Sequence, residues 1–201
     1  RLNYAENLLR RRDSQTALIF HTETGAERSL SFAELYDRVS RWAQALKGAG
    51  VQAGDRVAGY MPNMPETIVA MLAASSIGAV WSSASPDFGV QGVLDRFGQI
   101  EPTVLIGVDA YFYNGKTVDC LSKVRDVQRQ LTGLKKTVIV PFVSDSPDLG
   151  GLTDSIQEED FIAPYAAEEI AFTRLPTPEE TTRLTTFLTD SGEPDQALVG
   201  L

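Results

Sequence analysis

The chain holds one cysteine, Cys120, and one histidine, His21, in 201 residues. A lone thiol closes no internal disulfide, which fits a reducing cytoplasm, the expected location. One histidine and one cysteine supply neither a zinc cluster nor a Cys–His nucleophilic pair, and His21, before a polar turn, reads as a surface residue. No apolar run approaches the ~20 residues that cross a bilayer, so no membrane partner is expected. Residues 1–12 carry no apolar signal core, and the first residue is Arg1 rather than Met, so the natural start is expected upstream. There is no Gly-x-Ser-x-Gly elbow and no Gly-x-x-x-x-Gly-Lys-Ser/Thr phosphate loop.

What is present is a chain able to fold. Hydrophobic residues make up 43% of it, which supports a core and argues against wholesale disorder. The net charge of −9 is uneven: residues 1–141 carry 16 Lys/Arg against 14 Asp/Glu, and residues 142–201 carry 2 against 13. A nearly neutral front and an acidic end give nucleic-acid binding no electrostatic support.

The front two-thirds alternates between strand and helix patterns. Asn3 with Glu6 and Ser31 with Glu34 are capping pairs. Behind Ser31, the residues Leu35, Val39, Trp42, Ala43 and Leu46 fall on one helical face, closed by Gly48 and Gly50. Strands are expected at residues 17–21, 56–61, 79–82, 103–108 and 137–143, with a polar turn at 22–28 and helices at 66–77, 90–100 and 117–131. That order predicts an α/β fold, a largely parallel sheet with helices on both faces. Residues 1–143 are expected to form the α/β subdomain. Residues 144–201 read as an acidic, loop-rich segment with one short helix near 178–188 and a poorly specified end. Within it Glu158-Glu159-Asp160 reads as a solvated charge run, and Asp55 reads as turn chemistry.

Three segments could carry chemistry, each with a structural alternative. Residues 60–66 end a strand, where ligands of open α/β sheets gather, or form a rigid corner in which Asn63 caps the next helix. Residues 81–89 offer three serines, Asp87 and Gly89 to an anion, or form a simple loop with Ser85 or Asp87 as a helix cap. Residues 111–116 place aromatics beside Asn114 and Lys116, suited to a purine and a phosphate, or to a packed aromatic corner with a surface lysine.

Together these segments resemble the acetoacetyl-CoA synthetase family of adenylate-forming ligases. The likeness runs through Leu2-Asn3-Tyr4-Ala5-Glu6-Asn7, through residues 54–63 (Gly-Asp-Arg-Val-Ala-Gly-Tyr-Met-Pro-Asn), and through residues 78–89, which end in Ser85-Pro86-Asp87-Phe88-Gly89. It continues at Val93-Leu94-Asp95-Arg96-Phe97 and Tyr113-Asn114-Gly115-Lys116. The resemblance covers roughly residues 1–175. It implies a parent enzyme that activates acetoacetate with ATP and Mg²⁺, releases pyrophosphate, and transfers the acyl group to coenzyme A. It also implies a nucleotide of CoA near residues 82–85 and 114–116. Lys116 is then the candidate for a CoA phosphate contact, with Ser83 and Ala84 lining the path. Arg96 is a further candidate, for which Asp95 and Glu101 compete.

The resemblance breaks after residue 175. The family's Ser/Thr/Gly-rich loop ending in Pro-Lys is missing, and its nearest echo, Thr189-Asp190-Ser191-Gly192-Glu193-Pro194, has no lysine and two carboxylates that oppose a triphosphate. The ribose-binding Asp and the catalytic Lys that the resemblance implies are missing as well, so no catalytic residue is assigned. Three readings follow: an N-terminal ligase portion that is inactive by itself and keeps weak CoA affinity, a non-enzymatic α/β binding or interaction module, or one half of a split acyl-CoA ligase. Self-association through surface exposed by truncation is expected under the first.

Overall fold

The computed structural model describes residues 2–175. Capping sets the start of the chain. Asn3 accepts the Glu6 amide at 3.2 Å and opens α1 (Tyr4–Leu8), and its own amide donates to the carbonyls of Ser75, Ser76 and Thr173. Then β1 (Thr16–His21) and β2 (Glu27–Ser31) form an antiparallel hairpin. Ser31 begins α2 (Phe32–Gly48) with a complete capping box: its hydroxyl takes the Glu34 amide while Glu34 takes the Ser31 amide. Leu35, Val39, Trp42, Ala43 and Leu46 are all buried, as their spacing predicts.

The central layer follows as β3 (Arg56–Tyr60), α3 (Pro65–Ser76), β4 (Val80–Ala84), α4 (Val90–Ile100) and β5 (Val104–Val108). A small hairpin, β6 (Ala110–Tyr113) and β7 (Lys116–Asp119), precedes α5 (Leu121–Gln128) and β8 (Lys136–Val140). The last described elements are β9 (Ser155–Gln157) and α6 (Glu158–Ile162). Five strands pair in the order β4-β3-β5-β8-β9, every pair parallel.

The period-2 geometry of the strands feeds two cores. Val57, Ile106 and Val138 point toward α2 and α3, while Ala58, Leu105 and Ile139 point toward α4 and α5. Helices therefore cover both faces, as the sequence implies. Phe97 is fully buried on the α4–α5 side, and such a side chain contributes about 1.5–3 kcal/mol by leaving water.

Local expectations fail in four places. Glu27 and Arg28, the end of the segment read as turn, begin β2, because pairing with β1 outweighs their polar character. The helix expected at 117–131 begins only at Leu121, since residues 110–119 close a hairpin over Asn114-Gly115, with φ of 51° and 71°. That dipeptide suits a two-residue turn needing two positive φ angles. Residues 155–162, read as loop, add β9 to the sheet and α6 to the core, so packing continues across residue 143. Glu158 is not solvated; it is 3% exposed. The helix expected near 178–188 lies outside the described residues.

Candidate functional site

After β3 the chain crosses to β4 on one side, then returns past β3 to β5 on the other. This reversal makes the carboxyl ends of β3 and β5 a topological switch point, the position of the ligand crevice in open α/β sheets. Residues 61–64 and 85–89, together with Asp109, gather at this end. In the first loop Met61 donates to the Ala84 carbonyl at 3.1 Å, and the Thr67 hydroxyl holds the Pro62 carbonyl at 2.8 Å. Asn63 is exposed and does not cap α3; Met64 takes that position and Pro65 sits at the first turn.

The Ser85–Gly89 loop is held from three neighbouring elements. Tyr60 of β3 donates to the Phe88 carbonyl at 2.5 Å, Lys123 of α5 to the Pro86 carbonyl at 2.8 Å, and Tyr111 of β6 to the Asp87 carboxylate. Ser85 donates to Asp87 at 2.9 Å. Neither Ser85 nor Asp87 caps α4, whose N-cap is Gly89 without a side-chain bond. Burial, with Cys120 and Asp87 as neighbouring acids, pushes the Tyr60 phenol up to about 12. Burial and the Asp87 hydrogen bond raise Tyr111 further. Both hydroxyls therefore stay protonated as donors, which fixes the loop rather than supplying a base.

Asp109, at the end of β5, is 4% exposed. Its carboxylate accepts the amides of Phe142, Val143 and Ser144 at 2.7–3.2 Å, pinning the loop after β8, and its carbonyl accepts Cys120 and Leu121. Burial pushes the Cys120 thiol up to about 12, opposed by Lys123, so this cysteine is a packed thiol and no nucleophile.

The hairpin separates the expected aromatic cluster. Tyr111 is buried, Phe112 packs edge-on to Phe142 with ring centroids 5.9 Å apart, and only Tyr113 is open, at 59% exposure. Lys116, opposite Tyr113 in the register, is exposed. The turn amides of Asn114 and Gly115 both donate to the Glu23 carboxylate at 3.1 Å, tying the tip to the β1–β2 turn.

The other sequence candidates fall as follows. Ser83 is exposed on β4, an edge strand of the sheet, while Ala84 faces the buried α4–α5 core, so only its backbone borders the crevice. Arg96 bonds neither Asp95 nor Glu101; it donates to the Gly92 carbonyl at 2.9 Å and lies over the Phe88 ring at 4.5 Å. That stacking braces the Ser85–Gly89 loop from behind. His21 is exposed beside Glu27, and Asp55 takes the Gln52 amide, both as expected. Sequence reasoning passed over Tyr60, Asp109, Lys123 and Glu23 as partners, because each acts across a long separation that no local spacing encodes. Among the described residues no group of three His, Cys, Asp or Glu is placed to hold a metal. No helix among them is long and apolar enough to cross a membrane.

A family profile described as AMP-binding enzyme matches residues 5–182. The acetoacetyl-coenzyme A synthetase of Rhizobium meliloti (strain 1021) is 54% identical over 177 residues, covering 88% of this chain and 27% of that protein. The acetoacetyl-CoA synthetase of Gallus gallus is 45% identical over 183 residues, again 88% of this chain and 27% of its own length. The solved structure of an acetoacetyl-CoA synthetase from Streptomyces lividans superposes with a TM-score of 0.79 at 39% identity, covering 87% of this chain and 27% of that one. The chain thus spans about a quarter of the length of these relatives.

Proposed function

The chain belongs to the AMP-binding enzyme family, and from that premise we propose that it is the N-terminal part of a ligase joining acetoacetate to coenzyme A at the expense of ATP. The observation that carries this reading is the 54% identity to an acetoacetyl-CoA synthetase over 88% of the chain. In such a reaction the acetoacetate carboxylate takes AMP from Mg²⁺-bound ATP and releases pyrophosphate; the CoA thiol then takes the acyl group and releases AMP.

The described residues do not fit a triphosphate. The exposed side chain on the Ser85–Gly89 loop is the Asp87 carboxylate, and the nearby Lys123 ammonium is engaged by the Pro86 carbonyl. No step through ATP is assigned to them. They do fit the nucleotide end of CoA: Lys116 offers an exposed cation and Tyr113 an exposed ring beside it. In this reading Lys116 pairs with a phosphate, Tyr113 stacks on the purine, and the Ser83 hydroxyl borders the path of the thiol arm. Arg96 and Tyr111 act one step back, by keeping Phe88 and Asp87 in place.

The division of labour has a direct test. Acetoacetate-dependent ATP–pyrophosphate exchange by the 201-residue polypeptide should not exceed the blank, whereas a full-length acetoacetyl-CoA synthetase run alongside should exchange. Exchange by the polypeptide that survives removal of trace contaminants would place a working phosphate site within these residues and overturn this assignment.

A further inference from the structure

The densest buried charge among the described residues lies away from the crevice, where β2, α2, α3 and α6 meet. Glu158, the first residue of α6, accepts the Trp42 indole N–H at 2.9 Å and lies 3.7 Å from Arg38. Arg38 also lies 3.5 Å from Glu66 and 3.5 Å from Glu159. Arg28 of β2 clasps Glu66 with two bonds of 2.9 and 3.0 Å. Glu66 and Glu158 are 2% and 3% exposed. Three carboxylates thus share two guanidinium groups, and two of the three are out of reach of water.

Residues 163–175 continue from α6 as a strap across α2 and α3, held largely by polar contacts and tied at its far end by the paired Leu2–Leu175 backbone bonds and the Arg174–Glu6 ion pair. Arg41 donates to the Tyr165 carbonyl and Gln44 to the Ala166 carbonyl. Ser40 exchanges two bonds with Glu168, the Ile170 amide meets the Tyr36 hydroxyl, and the Thr173 amide meets the Ser76 carbonyl. The apolar anchors are few: Phe161, Ile162 and Ile170 are the buried ones. An element held this way can open without the sheet unfolding.

We propose that Glu158 is an acid-strengthened latch: neutral, it docks α6 and the strap on α2; ionised, it loosens them. With Glu158 neutral, Glu66 and Glu159 balance Arg28 and Arg38. Its ionisation adds a buried charge without a cation of its own, which costs more than Arg38 and Trp42 return. The carboxyl is accordingly pushed up to about 7, by burial first and then by Glu66 and Glu159, against Arg38 and the Trp42 bond. Since the docked value lies above the ordinary 4.5, the latch is strongest below about 4.5 and is lost as pH rises through about 7. Between those limits the strap's opening constant should rise about tenfold per pH unit, then level off.

Hydrogen exchange of the 201-residue chain, followed by mass spectrometry from pH 5.5 to 8.5 and corrected for intrinsic rates, reads this directly. Peptides spanning residues 158–172 should lose protection about tenfold or more between pH 5.5 and 7.5, while β5 peptides keep theirs. Glu158→Gln preserves an acceptor for Trp42 and removes the ionisation, so its strap should be protected independently of pH. A flat wild-type profile, or an E158Q profile that tracks the wild type, overturns the latch. A second readout covers an E158Q chain that fails to fold. In Trp81→Phe, Trp42 is the remaining tryptophan, and its emission should shift with a midpoint near pH 7. No inflection between pH 5 and 8 would also overturn the proposal.

Discussion

The two faces of the sheet are stabilised by different physics. On the α4–α5 face Phe97, Val93, Val124, Val127 and Leu105 form an apolar core. The α2–α3 face has a larger core around Trp42, Leu46 and Leu72, and at its rim it buries Glu66 and Glu158 beneath the more open Arg28 and Arg38. Apolar burial is insensitive to pH near neutrality, whereas a buried, over-subscribed carboxyl is not. Both faces should therefore contribute stability that is flat in pH, and the α2–α3 face should in addition make it depend on pH.

The largest expected effect is on the apolar face. Phe97→Ala should lower unfolding free energy by about 3–5 kcal/mol, by the same amount at pH 5.5 and 8, in urea titrations. A strong pH dependence of that loss would break the contrast between the faces. On the charged face Glu66→Ala should cost about 1.5–3 kcal/mol, because it removes the two-bond partner of Arg28 and one of the carboxylates that face Arg38. A double-mutant cycle with Arg28 should give a coupling above the ~0.2–1 kcal/mol of exposed pairs. Glu158→Gln should stabilise the domain at pH 8 relative to pH 4.5, by at most about 3 kcal/mol, and so flatten the wild-type pH profile. The smallest effect is local: Ser31→Ala should cost about 1 kcal/mol by removing the capping box of α2, equally at both pH values.

Sequence reasoning served the two faces unequally, for physical reasons. The buried stripe of α2 is legible because its spacing follows the helical period, and both capping pairs are legible because a cap is a contact three residues long. The parallel sheet follows from strand–helix alternation. The hairpin of residues 110–119 carried its own signal, Asn114-Gly115 between aromatic and β-branched residues, but the apolar spacing of residues 118–131 imitates a helix. Nothing local marks β9, which is three residues long and exists by pairing with β8. Glu158 looks like any solvated glutamate until Trp42 and Arg38, more than a hundred residues earlier, are folded against it. At the crevice the Ser85–Gly89 segment was recognisable, yet the residues that fix it, Tyr60, Tyr111 and Lys123, come from three other elements.

The central claim is that this stretch carries the nucleotide-end contacts for coenzyme A, with Lys116 facing a phosphate. Titration calorimetry of the 201-residue polypeptide with CoA, repeated with 3′-dephospho-CoA and with Lys116→Ala, tests it most directly. The account predicts saturable binding of CoA that weakens about tenfold in Lys116→Ala, a loss in the range of one charge-assisted contact. The dephospho comparison then reads which phosphate Lys116 meets. No saturable heat with CoA, or binding that Lys116→Ala leaves unchanged, would contradict the assignment.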